Sequence, residues 1–317
     1  MAENVGNRNT EALFHLVDAS ERLNFPDTAA DQVATDGDSY IKTVMKRFAK
    51  NKLAMISLGI FILLLLTAVF AEQLAPHPRD ASVGRFQAAP YDTFYLGTDE
   101  IGRDVLTRLI HGTQVSMIVG IGSVAIYVVI GTTLGLMSGY FGGFIDSVIM
   151  RLTEAFMSFP FFMVILTLVS LLGSGIWVVT FVLGALSWPQ LCRLVRGQVL
   201  TLKEQDFVLA AVATGYSAPG VLFIHILPNV LSPILVNATF GIASAIMTEA
   251  SLSFLGVGVT KPRPSWGNIL SEAQSLRVLT SQPWRWIPAG ILIFIAVLVI
   301  NFIGDGLREA IEGETKT

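Results

Sequence analysis

What most narrows the folds open to this chain is a set of long stretches without a charged side chain. Leu53 to Ala71 carries none, Leu109 to Ile145 carries none apart from any proton on His111, and Ala155 to Cys192 carries none. A helix needs about 20 apolar residues to cross the hydrocarbon core of a bilayer. Only 14% of the residues are charged, where a soluble domain carries roughly a quarter. The chain therefore reads as an all-α integral membrane protein, and no nucleic-acid partner is implied.

The runs divide into six spans: Leu53 to Ala71, Gly120 to Tyr140, two short spans within Ala155 to Cys192 parted at Gly173-Ser174-Gly175, Val230 to Phe254, and Trp286 to Gly304. Residues 1–40 hold eight acidic side chains against two arginines, whereas Ile41 to Lys52 holds Lys42, Lys46, Arg47, Lys50 and Lys52 and no acid. That basic collar precedes the first span, so the positive-inside rule places the N-terminus in the cytoplasm. An even number of spans returns the C-terminus there. The expected organisation is a cytoplasmic tail and collar at 1–52, a first membrane helix at 53–74, an extracytoplasmic loop at 75–112, a core of five membrane helices at 113–304, and a cytoplasmic tail at 305–317. Within the core, residues 193–229 form a cytoplasmic loop between spans 4 and 5. A cleavable signal peptide is not expected, because the first apolar run begins far from Met1. The single cysteine, Cys192, cannot form an internal disulfide and reads as a packing residue.

The cytoplasmic loop poses a problem. Asp206 to Asn229 lacks Lys and Arg and is rich in alanine, yet it lies between spans. Asp206 suits an N-cap, Phe207 to Thr214 suit two helical turns, and Gly215 suits the left-handed residue that ends them. Ser217 offers a second N-cap with Pro219 in the first turn. An uncharged helix at a membrane face needs a partner to cover it.

Here the residues carry a family resemblance. Ala210-Ala211, Gly215 four residues on, and His225-Ile226-Leu227-Pro228 resemble the "EAA" loop of permease subunits from binding-protein-dependent ABC importers. "GTDEIGRDVLTRL", "SGYFGGFID", "RLVRGQVL", "TEASLSFLGVGV", "PSWGNIL" and "NFIGDGLREA" resemble, in the same order, recurrent blocks of the dipeptide, oligopeptide and nickel branch. The resemblance covers about residues 40 to 312 and implies a coupling helix that docks on a cytoplasmic ATPase, with Phe207, Ala210, Ala211, Gly215, His225 and Pro228 at or beside the contact. Leu209 stands where the motif has its glutamate. The family also implies a second homologous permease, two ATPase subunits and an extracytoplasmic binding protein, in the cytoplasmic (inner) membrane of a bacterium. No G-x-x-x-x-G-K-[ST] occurs here, so no cofactor is expected in this chain, and ATP and Mg would be bound by the partner ATPases. Di- or oligopeptides are the expected cargo, with nickel or another small solute as the alternative.

Other features have narrower readings. Gly131, Gly135 and Gly139 recur every fourth residue and suit close helix packing, within the chain or against the partner permease. Pro160 and Pro189 should kink spans 3 and 4. Glu249, a carboxylate in an apolar run near the outer end of span 5, is either a lining residue of the translocation pathway or a packing acid. Arg151 and Glu154, three apart, suit a surface pair. Thr98 to Ile110 reads as an amphipathic helix at the outer face, capped by Thr98, and Leu13, Leu16, Val17 and Leu23 as a short amphipathic helix in the acidic tail. A self-sufficient carrier or channel should show repeats or several ionisable groups at mid-membrane, and neither is evident. An intramembrane enzyme is poorly supported, since Gly304-Asp305-Gly306 has no second aspartate in a span and no His-Glu-x-x-His metal site is present.

Overall fold

The computed structural model describes residues 40–313, so the amphipathic segment around Leu13 to Leu23 lies outside the described residues. The chain divides into two units, residues 1–46 and 47–317. The described part of the first is the opening of helix α1 (Tyr40–Lys50). Arg47 and Lys50 fall in its last turn, where the helix dipole favours cations. Asn51 ends it and caps α2 (Lys52–Val69), its side-chain oxygen accepting from Ala54 N at 3.1 Å.

The second unit is helical throughout its named elements. Five helices are long and apolar enough to cross a membrane: α2, α3 (Val105–Phe141), α6 (Ile176–Leu202), the run 218–254 that contains α8 (Leu227–Phe254), and α10 (Ile287–Glu312). The helix predicted over Thr98 to Ile110 does not form as such. Asp99 spends its carboxylate on the backbone N–H groups of Ile101 and Arg103 at 3.0 and 2.9 Å, and Gly102 turns the chain at φ +82°. Asp104 becomes the cap instead, accepting from Thr107 N at 3.0 Å. From there α3 runs unbroken for 37 residues, about 55 Å at 1.5 Å per residue, so the expected loop boundary at residue 112 falls inside a continuous helix.

The third expected span is where the structure departs most from the sequence reading. Residues 143–172 form two helices, α4 (Gly143–Met157) and α5 (Phe161–Leu172), bent 83° to one another. Pro160 accounts for the break. It has no N–H to continue α4 and disfavours helical backbone at Phe159, and it becomes the N-cap of α5. Pro189, by contrast, is carried inside α6. Arg151 and Glu154 pair across the exposed face of α4 at 3.1 Å.

Close packing of α3 on α6 organises the unit. Cβ atoms added at Gly131, Gly135 and Gly139 would meet Leu191 Cβ at 3.0 Å, Val195 Cβ at 2.7 Å and Val199 Cβ at 2.6 Å. The glycine seam thus receives α6 of the same chain, and Gly184 returns the arrangement by admitting Ile126. Cys192, Val195 and Val199 sit in the core that results, together with residues of α8 and of the loop between α6 and α8. A second core joins α2, α3, α8, α9 (Trp266–Leu270) and α10, and a third joins α3, α5 and α6.

Candidate functional site

The loop that the sequence left exposed begins at α7 (Asp206–Ala213). Gln205 rather than Asp206 takes the cap position, and no side chain makes the capping bond. The other end is built as expected. Gly215 adopts φ +87°, its N–H donates to Val212 O at 3.0 Å, and Tyr216 N–H donates to Ala211 O at 3.2 Å. Those two bonds are the Schellman closure, which needs a left-handed residue at that point.

Burial divides α7 into two faces. Val208 and Ala211 are buried and belong to the core formed with Val199, Val221, Leu222 and Ile226. Phe207, Leu209, Ala210, Val212 and Ala213 are exposed, and none of them carries charge. Ala211, named above as a contact residue, therefore faces its own chain at 5% exposure. The outward small residue is Ala210. Beyond Gly215 the chain passes through a short turn (Ala218–Gly220) and a π-helix (Val221–Ile226) directly into α8, with Pro228 exposed in its first turn. Proline lacks the N–H that a regular α turn would use there, and the turn ahead of it is the widened one. His225 stands edge-on to Tyr216 with ring centroids 4.9 Å apart.

The same end of the molecule is braced by a charged clamp. Arg196 on α6 donates from Nε and Nη2 to the two carboxylate oxygens of Asp146 on α4, both at 2.6 Å. Ser138 of α3 also donates to Asp146, and Lys203 Nζ donates to Gly139 O at 3.2 Å. The ends of α3, α4 and α6 are thereby tied together beside α7.

Farther along α8 lies a cavity of about 420 Å³, bordered by α3, the α4–α5 elbow, α6 and α8. Tyr127, Ser187, Gln190, Asn237, Ser244 and Thr248 are among its lining, with Met157, Phe159 and Phe161 from the elbow. These polar groups were missed in the sequence. The available signal was a lone Gln or Asn inside an otherwise apolar run, which is costly in lipid and so asks for a destination.

Glu249 does not line an open surface. Its carboxylate is fully buried, accepting from Ser116 Oγ at 3.2 Å and Ser253 Oγ at 2.7 Å. Ser116 Oγ in turn accepts from Trp266 N at 3.3 Å, and Ser253 Oγ from Val259 N at 3.0 Å. The acid thus seats the segment that leads into α9 against α3 and α8, away from the elbow cavity.

Long apolar helices, a broken pair, an uncharged exposed helix tied into their core and a cavity between the spans define a polytopic α-helical membrane protein. The chain belongs to the family described as the binding-protein-dependent transport system inner membrane component, which matches residues 131–316. Residues 39–95 match the N-terminal TM domain of oligopeptide transport permease C. Relatives include the dipeptide transport system permease protein DppC of Alkalihalophilus pseudofirmus, 37% identical over 87% of this chain and 90% of that protein. The glutathione transport system permease protein GsiD of Pectobacterium atrosepticum is 38% identical over 86% and 90%. The oligopeptide transport system permease protein OppC of Bacillus subtilis is 37% identical over 89% and 92%. A chain of the MetNI methionine ABC transporter, solved in inward-facing conformations, has the same fold with a TM-score of 0.51 at 21% identity, covering 65% of this chain and 97% of that one.

Proposed function

We propose that this chain is one permease subunit of an ATP-driven importer for di- or oligopeptides, and that α7 is its coupling helix. The observation that carries the coupling assignment is the charge-free exposed face Phe207, Leu209, Ala210, Val212 and Ala213, held on the spans' own core by Val208 and Ala211. An exposed apolar face of that kind marks a surface for interaction with another protein or with the membrane, and its place in a loop between spans favours a protein. Because Val208 and Ala211 share one core with residues of α3, α6 and α8, a push on α7 bears on all three. In this reading ATP and Mg are bound by two partner ATPase subunits, a second permease completes the path, and an extracytoplasmic binding protein delivers the solute. Both chain ends and α7 lie on the cytoplasmic side, in keeping with the basic collar. The dipeptide, oligopeptide and glutathione permeases among the relatives support a peptide cargo.

The test is Ala210→Arg in cells that supply the partner subunits. The expected result is loss of peptide uptake with the protein still inserted at normal abundance, because a guanidinium would stand between the two surfaces. Normal uptake with Ala210→Arg would overturn the coupling assignment.

A further inference from the structure

The elbow cavity carries more than its position between spans, and the inference drawn from it rests on the reading of this chain as half of a peptide path. None of its lining residues is acidic or basic. Its polar side chains nonetheless have hydrogen-bonding capacity to spare. Tyr127 Oη donates to Asn237 O at 3.2 Å and lies 3.4 Å from Asn237 Oδ1. That arrangement sets the amide oxygen towards the tyrosine and leaves the two Nδ2 hydrogens without a partner among the described residues. Gln190 is exposed in the interior of α6 and its amide has no hydrogen-bond partner among the described residues; the Ser244 hydroxyl, exposed on α8, has none either. Gly241 makes room for this, since a Cβ there would stand 1.9 Å from Tyr127 Oη. Any side chain at 241 would displace the tyrosine that holds Asn237.

Unpaired amides and hydroxyls within spans are stable only where water or a solute reaches them. Amide side chains offer both donors and acceptors, which is what a peptide backbone offers in return, whatever its side chains. Around them stand Met157, Phe159 and Phe161, apolar surfaces able to adapt to varied cargo. A wall without fixed charge does not favour one sign of charged side chain over the other, since both pay for desolvation, whereas one charge at a few ångströms in a partly dry site would discriminate strongly.

We infer that this cavity is a waypoint on the path at which the amides of Asn237 and Gln190 bond the backbone of a passing peptide, and that its lack of charge leaves the permease without a preference between positive and negative cargo side chains. The experiment uses the complete importer, permease pair, ATPases and binding protein, in membrane vesicles. Uptake of the tripeptides Ala-Lys-Ala and Ala-Glu-Ala is measured for wild type, Asn237→Asp and Gln190→Glu. One binding protein serves all three, so a change in the ratio reports on the permease alone. Both variants are expected to shift the ratio towards Ala-Lys-Ala by on the order of tenfold, and the shift should shrink at the acid end of the pH range as the new carboxylate protonates. Transport that persists with an unchanged ratio in both variants overturns the inference. Where Asn237→Asp abolishes all uptake, Gln190→Glu must carry the shift, and an unchanged ratio there overturns it equally. A wild-type importer that takes up neither tripeptide, nor any other peptide, contradicts instead the peptide reading on which the inference stands.

Discussion

A side chain at Gly135 has nowhere to go, because a Cβ there would stand 2.7 Å from Val195 Cβ and 2.8 Å from Cys192 O. Gly135→Leu should therefore force α3 and α6 apart and cost about 1–3 kcal/mol, read as a lower midpoint of thermal unfolding in detergent. Gly197, with nothing within 4 Å of its Cβ position, is the control: Gly197→Ala should leave the midpoint unchanged or slightly raised through better helix propensity. A second residue-scale prediction concerns Arg285, whose Nε and Nη2 donate to Glu272 at 2.8 and 2.6 Å with both side chains buried. Burial pushes the Glu272 carboxyl above the ordinary carboxylate range, while Arg285 and Arg108 pull it the other way. Arg285→Ala should cost about 3–5 kcal/mol near neutrality, since it strands a buried carboxylate. A group whose folded-state pKa lies above its unfolded value stabilises fully below the unfolded value and loses that contribution as pH rises through the folded one. The Arg285→Ala defect should therefore shrink on acidification, and a defect independent of pH would refute this account. At this scale the sequence was informative where chemistry is local. Gly215 was legible as a left-handed helix end and the glycine seam as a packing face. The inward turn of Ala211 was not, because two adjacent alanines look alike until the core that receives one of them exists.

Among the elements, the α4–α5 elbow and the Asp146–Arg196 clamp carry the consequences. The uncharged run 155–192 has the composition of two spans, and composition alone does not register an 83° bend. Pro160 signalled a kink, but its size depends on what α5 packs against, namely the third core with α3 and α6. The long α3 was likewise only half legible: its apolar part was evident, whereas its start depended on Asp99 forming a turn and Asp104 taking the cap. The clamp escaped the sequence altogether, since Asp146 and Arg196 are fifty residues apart and meet only through the fold. Their side chains are 20% and 30% exposed, so solvent screens part of the attraction. A double-mutant cycle with Asp146→Ala and Arg196→Ala should return a coupling on the order of 1 kcal/mol. The charge-swapped pair Asp146→Arg with Arg196→Asp should recover part of the stability that either single reversal loses, and no recovery would remove the clamp from the account.

For the whole molecule, the order of motifs in the sequence was enough to indicate the family, and the family matches and the shared fold bear that out. The internal arrangement was not accessible in the same way. Glu249, an acid the sequence singled out within a span, is fully buried and hydrogen-bonded through Ser116 and Ser253 to the segment leading into α9. The uncharged lining of the elbow cavity comes instead from separate helices that no local pattern links. In the proposed coupling, the exposed face of α7 is the surface through which partner ATPases drive the spans. That coupling is tested most directly by site-specific crosslinking from Ala210→Cys on a Cys192→Ser background, in membranes containing the candidate ATPase subunits. The expected result is a crosslink to an ATPase subunit whose yield changes between nucleotide-free and ATP-bound conditions, and none from Ala211→Cys, which faces the chain's own core. No crosslink from Ala210→Cys in a correctly inserted and abundant protein would contradict it.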